Sequence, residues 1–289
     1  MSQETSSRGS SGLRVTPLQA PADATTPAAA RTRERVFLER FQRNFERLTQ
    51  VYSPVDRKTY PTKGVPGIAD DPYPRLVEVL RHNGLFDPAL LDALPHNRSL
   101  RYELPTGGWL RRAKPKVVVA ATARSPLGEL ARLGGVLAPQ GREPVQEFVN
   151  EQVRAPGAYH VLGVLSTVGW DEALWDQVPR GENYAVVLVE QRGGAGWRVE
   201  HSLPKELASI LSLFDPEDLD EKVARTFYWV TQQPELKVPG GHLDVGRVSS
   251  LLGVTRSVLD LALQQIQRED STLKVAQVGG REILKRDRY

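Results

Sequence analysis

Residues 159–165 read Tyr-His-Val-Leu-Gly-Val-Leu, an almost unbroken apolar run with the length of one fully buried β-strand. Similar runs lie before and after it in the chain, Lys116-Val-Val-Val-Ala-Ala and Tyr184-Ala-Val-Val-Leu-Val-Glu. Patterns typical of helices separate the runs, one opening at Ser125-Pro126 and another covering about 143–152. Apolar strands that alternate with helices predict an α/β (mixed) fold with a partly parallel central sheet.

On either side of these strands, composition and turn signals divide the 289 residues into four parts. Residues 1–30 contain mainly Ser, Thr, Ala, Pro and Gly, and we expect a disordered tail there. Residues 31–115 are expected to form a helical and β-hairpin region, in which a helix over about 32–52 precedes a proline-rich loop. The α/β domain then occupies 116–214, and 215–289 form a C-terminal domain.

The composition excludes several classes of chemistry. The chain has no cysteine, so disulfides, thiolate metal sites and cysteine nucleophiles are ruled out. Its five histidines are scattered without the spacing of metal ligands, and neither a G-x-x-x-x-G-K-[ST] nor a G-x-G-x-x-G motif is present. We therefore expect no metal and no cofactor.

Two kinds of segment that we do not find in the sequence bear on the cellular location of the protein. No run approaches 18 consecutive apolar residues, and the first residues lack the basic start and apolar stretch of a signal peptide. We expect a cytoplasmic protein. Its net charge of +3 identifies no partner by itself, because the distribution of the charges matters more than their sum.

The C-terminal part combines a helix–turn–helix pattern with a β-hairpin. A helix over 218–232 is expected first. A short helix over Val245 to Leu252 should then stop at Gly253, and Thr255 should cap the next helix. Alternating segments on both sides of Gly279-Gly280 predict a hairpin with a two-residue turn.

This order of elements resembles a winged helix-turn-helix DNA-binding domain over about 218–289. The resemblance implies that the second helix of the motif enters the major groove while the wing contacts the DNA backbone. It places on the groove Thr255, Arg256, Ser257, Asp260 and Gln264, with Arg256 suited to guanine and Gln264 to adenine. It places on the backbone Lys274, Arg281, Lys285, Arg286 and Arg288. Winged helices also dock on proteins, and Asp260 and Leu261 on the reading face keep that alternative open.

A second basic segment lies before the first apolar strand. Ser99–Leu104 should fold back on Trp109–Arg112 as a hairpin, and only Glu103 opposes its basic residues, which are Arg98, Arg101, Arg111, Arg112, Lys114 and Lys116. With Tyr102 and Trp109 interleaved, Arg111, Arg112 and Lys114 are candidates for DNA contact, as the wing of a degenerate winged helix. The alternative is an edge hairpin whose charges prevent strand pairing.

The α/β region offers two loops at the carboxyl ends of its strands. Ligands of open α/β sheets bind at such loops, which makes Ser125, Thr167 and Gly169 candidates for an anionic ligand. Asp171 and Glu190 are the nearest approach to the clustered carboxylates of a metal-dependent nuclease. We assign no catalytic residue from these patterns.

The sequence thus predicts a non-catalytic DNA-binding protein, a regulator of transcription or an accessory factor of replication or DNA repair. We expect it in the cytoplasm, on the nucleoid, as a homodimer that binds double-stranded DNA, with single-stranded DNA as a further possibility. The alternatives are a protein–protein interaction module and, less favoured, a nuclease.

Overall fold

The computed structural model describes residues 25–105, 114–132, 136–155, 157–193 and 196–287. The predicted tail up to residue 24 and the segment 106–113 lie outside these ranges. Over the described ranges, no helix combines the length and apolar character that a membrane crossing requires.

The central element is a mixed six-stranded sheet with the strand order β3-β4-β5-β6-β7-β8. The strands are β3 Ile68–Asp70, β4 Ser99–Leu104, β5 Val117–Arg124, β6 Tyr159–Ser166, β7 Tyr184–Gln191 and β8 Trp197–His201. β5, β6 and β7 pair in parallel, and the outer strands are antiparallel to their neighbours. Every residue of β5 and β6 is buried, which is why both read as apolar runs rather than alternating ones. The predicted α/β fold is confirmed.

Helices cover both faces of this sheet. On one face lie α1, Pro27–Arg47, and the 3-10 helix Lys205–Phe214, whose aromatic side chains share a core with the sheet. On the other face lie α5, Glu143–Gln152, and α6, Glu172–Asp176. Gly163 of β6 is required by this packing, because a Cβ there would stand 2.1 Å from Cδ1 of Phe214.

Three short helices form a satellite cluster at the edge of the sheet. They are α2 Tyr73–His82, α3 Pro88–Ala93 and α4 Leu127–Arg132, and their leucines pack around Ala30 of α1. Ala30 was expected in the disordered tail, but α1 already begins at Pro27. Thr26 caps it by accepting a bond from Ala29 N at 3.2 Å, and a proline at the first helical position fits such a start.

The first helix also ends earlier than predicted, at Arg47 rather than near 52. The chain continues into β1, Gln50–Ser53, which pairs antiparallel with β2, Lys58–Pro61. The predicted loop over 53–74 therefore contains part of a hairpin. The prolines obscured it because they suggested turns, yet Pro61 belongs to an edge strand of a two-stranded sheet, where a proline is tolerated.

The segment Ser99–Leu104, predicted as one arm of a hairpin, forms β4 of the large sheet. β4 pairs along its whole length with β5, from Ser99 opposite Thr122 to Leu104 opposite Val117, and on its other edge with β3. It is thus an inner strand of this sheet. The predicted return arm, 109–112, lies outside the described residues.

The C-terminal residues form three helices and a three-stranded sheet. The helices are α7 Leu219–Thr231, α8 Val245–Leu252 and α9 Arg256–Glu269. The strands are β9 His242–Asp244, β10 Leu273–Val278 and β11 Arg281–Arg286, in the order β10-β11-β9. Gly253, Gly279 and Gly280 all have positive φ, at 60°, 58° and 77°. The three helices, the turn at Gly253 and the hairpin occur in the order that the sequence predicted. The strand β9 was not predicted.

The acidic run before α7 joins this C-terminal unit to α1. Asp218 and Glu221 form a capping box at the start of α7, and both also pair with Arg40 of α1. Asn44, one turn further along α1, donates to the carbonyl of Ser212 at 3.0 Å. The contacts seen here between α1 and the start of α7 are therefore polar and ionic.

Candidate nucleic-acid interface

The N-terminal end of α9 is exposed and polar. Gly253 turns the chain, Val254 is buried beneath it, and Thr255, Arg256 and Ser257 all lie at the surface. Thr255 makes no side-chain capping bond. Its Oγ1 lies 3.0 Å from Oγ of Ser257 instead. Three predicted groove contacts are thus brought together on the first turn of the helix.

Arg256 is engaged by two carboxylates. Its Nε donates to Oδ1 of Asp260 at 2.7 Å, and its two terminal nitrogens donate to the two oxygens of Glu282, with Nη2 2.9 Å from Oε1. The guanidinium lowers the pKa of Glu282 through these bonds. The side chain of Arg256 is still 59% exposed, whereas that of Glu282 is 20% exposed.

Further along α9, the outward face mixes polar and apolar groups. Ser257, Leu261, Gln264 and Arg268 recur at spacings of four and three, and all four are exposed. Leu261, at 42% exposure, lies between Ser257 and Gln264. Gln264 is therefore accessible as predicted, but next to an apolar side chain rather than within a continuous polar surface.

The wing presents its cations on the side away from the helices. Lys274 and Lys285 are cross-strand partners and so share one face of the sheet. Both bind Asp287, at 2.7 Å and 3.6 Å, and these contacts lower the pKa of that carboxyl. Arg281 is exposed beside the Gly-Gly turn, and among the described residues it has no ion-pair partner.

Arg286 has a structural role that the sequence did not suggest. It donates through Nε to the carbonyl of Leu236 at 2.5 Å, through Nη1 to Thr272 at 2.8 Å, and through Nη2 to Asp270 at 2.9 Å. Residues alternate across a strand, so Arg286 shares the inner face of β11 with the buried Leu284. These bonds use three of the five N–H donors of Arg286 within the protein, so the predicted contact with the DNA backbone would have to compete with them.

A cleft beside α9 adds residues that sequence reasoning missed. It has a volume of about 360 Å³, and its walls include Thr255 and Ser257 from α9 and Arg40, Asn44 and Arg47 from α1. The arginine-rich pattern of this helix was visible in the sequence. The position of α1 beside the C-terminal unit follows from the ion pairs of Arg40 with Asp218 and Glu221, and the spacing of residues in the sequence does not predict it.

In the second basic segment, an aromatic residue that was predicted to be available for stacking is buried. Arg111, Arg112 and Trp109 lie outside the described residues, and Lys114 is exposed. Tyr102 is buried and stacks on Phe45, with ring centroids 3.6 Å apart, and burial raises the pKa of its hydroxyl to about 12. Tyr102 is therefore part of the core and has no free face on which a base could stack.

The predicted ligand site at the strand ends is assembled but closed. Thr167, which is 1% exposed, donates to Ser125 Oγ at 2.8 Å, and Gly169 lies in the same loop with a φ of 99°. Arg33 of α1 covers them. Its Nη1 donates to the carbonyl of Thr167 at 2.5 Å, and its Nε donates to Oε1 of Gln191 at 2.9 Å. The polar atoms of this crevice are thus bonded to one another.

The two carboxylates considered for a nuclease also have local partners. Asp171 caps α6 by accepting from Ala173 N at 3.0 Å. Glu190 accepts from Trp170 N at 2.8 Å and from Nε of Arg192 at 2.6 Å. Within the ranges that the structure describes, no group of three or more His, Cys, Asp or Glu is placed to hold a metal ion.

Comparisons with protein-family models, with curated proteins and with solved structures found no match to this chain.

Proposed function

We propose that this protein binds duplex DNA through the N-terminal end of α9 and the adjacent wing, without acting on the DNA chemically. The observation that carries the proposal is the contact between Arg256 and Glu282. This contact marks the turn of the hairpin as lying beside the first turn of α9, where the sheet and the shared core hold it, so that one ligand can touch both. In winged helix-turn-helix domains the reading helix and the wing converge on DNA in this way.

Charge supports a selective rather than a general attraction to DNA. Residues 215–289 have eleven Lys and Arg against twelve Asp and Glu, so the C-terminal unit as a whole does not attract phosphates. The exposed cations that remain near the interface are Arg281, Lys274 and Lys285 on the wing and Arg47 on α1. Affinity should therefore depend on a few placed contacts, and its fall with added salt should correspond to about four phosphate contacts.

The experiment that tests this proposal measures binding of the full chain to duplex DNA of about 20 base pairs, two helical turns, at several salt concentrations. We expect a linear fall of log affinity with log salt. Arg281→Ala and Lys285→Ala should each reduce the slope by about one, because each removes one phosphate contact. No binding at low salt would contradict the proposal.

Lys237→Ala is the matched control. Lys237 is an exposed cation of the same C-terminal unit, on the 3-10 helix Pro234–Lys237, and we assign it no DNA contact. Its removal changes the net charge as much as Lys285→Ala does and should leave the salt slope unchanged. A similar loss of slope in both variants would indicate unspecific attraction.

A second function, docking on a partner protein, is favoured by one observation. Leu261 and Val278, on α9 and at the end of β10, are large apolar side chains left exposed at 42% and 56%. In that case Leu261→Ser should abolish binding to the partner with little dependence on salt. The salt titration above distinguishes the two functions, since a docking module would show no affinity for duplex DNA.

The biological setting follows from the DNA-binding proposal. We place the protein in the cytoplasm on the nucleoid, as a regulator of transcription or an accessory factor of replication or repair. A homodimer would present two copies of α9 to neighbouring half-sites about one helical turn apart. Single-stranded DNA belongs in the same titration as a competing ligand.

A further inference from the structure

The binding edges of the Arg256 guanidinium are occupied within the protein itself. A guanidinium offers five N–H donors, arranged so that two parallel bonds can form along one edge. Glu282 takes the edge between Nη1 and Nη2, and Asp260 takes Nε. An arginine recognises guanine through the same kind of paired donation, to O6 and N7. In this state Arg256 cannot form it.

The carboxylates that occupy Arg256 are fixed by the fold. Glu282 belongs to β11, where its position opposite Gln277 is set by the strand register, and its side chain is largely covered. Asp260 lies one turn along α9 from Arg256. Both carboxylates therefore remain beside the first turn of α9 even when the arginine moves away.

We propose that Glu282, assisted by Asp260, is a positioning residue that sets the DNA selectivity of the interface by withholding Arg256. A phosphate that approaches α9 has to displace a bidentate carboxylate, and it is repelled by that carboxylate afterwards. Only a DNA site that offers enough further contacts to α9 and the wing compensates for the exchange. This inference rests on the DNA-binding function proposed above.

The consequence is that Glu282 weakens binding to DNA of arbitrary sequence. With Glu282→Gln, the shape of the side chain is retained while its charge is lost, so Arg256 becomes free to contact phosphate. Because the Arg256 side chain is 59% exposed, the ion pair is weak enough to be exchanged, with a typical strength of about 1 kcal/mol for pairs at the surface. We therefore expect about a three- to sixfold tighter affinity for mixed-sequence duplex.

The test uses the full chain and duplexes of random sequence, about 20 base pairs long, titrated at several salt concentrations. Glu282→Gln should bind more tightly than the unmodified protein and should steepen the salt slope by about one, because one more cation reaches the phosphates. Asp260→Asn should act in the same direction but more weakly, since Asp260 supplies one of the three bonds to Arg256.

The matched control is Glu269→Gln. Glu269 lies at the C-terminal end of the same helix, is exposed, and accepts only from Gln265, at 3.2 Å. The substitution removes the same charge from the same C-terminal unit without touching Arg256. If Glu269→Gln tightens binding as much as Glu282→Gln does, the effect is one of net charge and the inference is overturned.

A second background shows whether Glu282 acts through Arg256. In Arg256→Ala protein, Glu282→Gln should tighten binding no more than Glu269→Gln does, and it should leave the salt slope unchanged. A gain of full size that persists there contradicts the inference while leaving DNA binding intact. If neither the unmodified chain nor any variant binds duplex at low salt, the proposed function itself fails, and the inference fails with it.

Discussion

Two places in this molecule carry the polar loops and helix starts from which an anion site is expected, and the fold treats them differently. At the ends of β5 and β6, Ser125 and Thr167 are buried and bonded to each other beneath Arg33. At the start of α9, Thr255 and Ser257 are bonded in a similar way but remain exposed. The difference comes from α1, whose N-terminal half covers the first place while its C-terminal half only borders the second.

This contrast shows that a polar pattern locates functional groups without showing whether they are available. The same side chains bind a ligand where water and solutes reach them, and stabilise the fold where they do not. Three substitutions, from the largest expected effect to the smallest, test whether polar side chains in the crevice, on the wing and at the start of α9 stabilise the fold or remain available to a ligand.

Arg33→Ala should have the largest effect. It leaves the carbonyl of Thr167 and the amide oxygen of Gln191 without their donor in a buried crevice. We expect the free energy of unfolding to fall by about 3 kcal/mol, measured by urea denaturation. Arg43→Ala, an exposed position of the same helix, is the control and should cost less than about 0.5 kcal/mol. Equal effects would mean that the crevice is open.

Arg286→Ala should have an intermediate effect, and on stability rather than directly on DNA binding. The substitution removes three hydrogen bonds that tie the wing to the loops before β9 and β10. We expect a loss of about 2 kcal/mol in thermal or urea unfolding. Arg281→Ala, five residues earlier on the same strand, should leave stability within about 0.5 kcal/mol and reduce DNA affinity instead. An unchanged stability of the Arg286→Ala protein would contradict the structural role of Arg286 and leave its guanidinium available to DNA.

Thr167→Val should have the smallest effect of the three. The same change can be made at the start of α9, as Thr255→Val, so that the two places are compared directly. Thr167→Val removes the hydroxyl that donates to Ser125 inside the crevice, and we expect a loss of about 1 kcal/mol. Thr255→Val at the start of α9 should cost less, because its hydroxyl makes no capping bond and is open to water. A larger loss at Thr255 would reverse the comparison between the two places.

The parts of the fold that the sequence predicted are those in which local pattern and burial agree. The apolar runs of β5, β6 and β7, and the glycines at 253, 279 and 280, give signals that depend on a few neighbouring residues. The resemblance to a winged helix-turn-helix domain implied Thr255, Arg256 and Ser257 as groove contacts, and in the structure all three are exposed at the start of α9.

What could not be predicted depends on partners distant in sequence. The burial of Tyr102 on Phe45 follows from the position of α1 on the sheet. The role of Arg286 depends on a carbonyl 50 residues away. The helix start at Pro27 is different, because Thr26-Pro27 is a local capping signal that the low complexity of the surrounding tail obscured.

The length of α1 gives these observations a mechanical meaning. A helix of 21 residues is about 30 Å long, and here its phenylalanines pack on the sheet along its length while polar contacts hold it on either side of its middle. Arg33 bonds to the strand-end crevice, while Arg40 and Asn44 bond to elements that lie beside α9. The closed crevice and the cleft that contains Thr255 and Ser257 therefore share one rigid element, and the core beneath α1 fixes the distance between them.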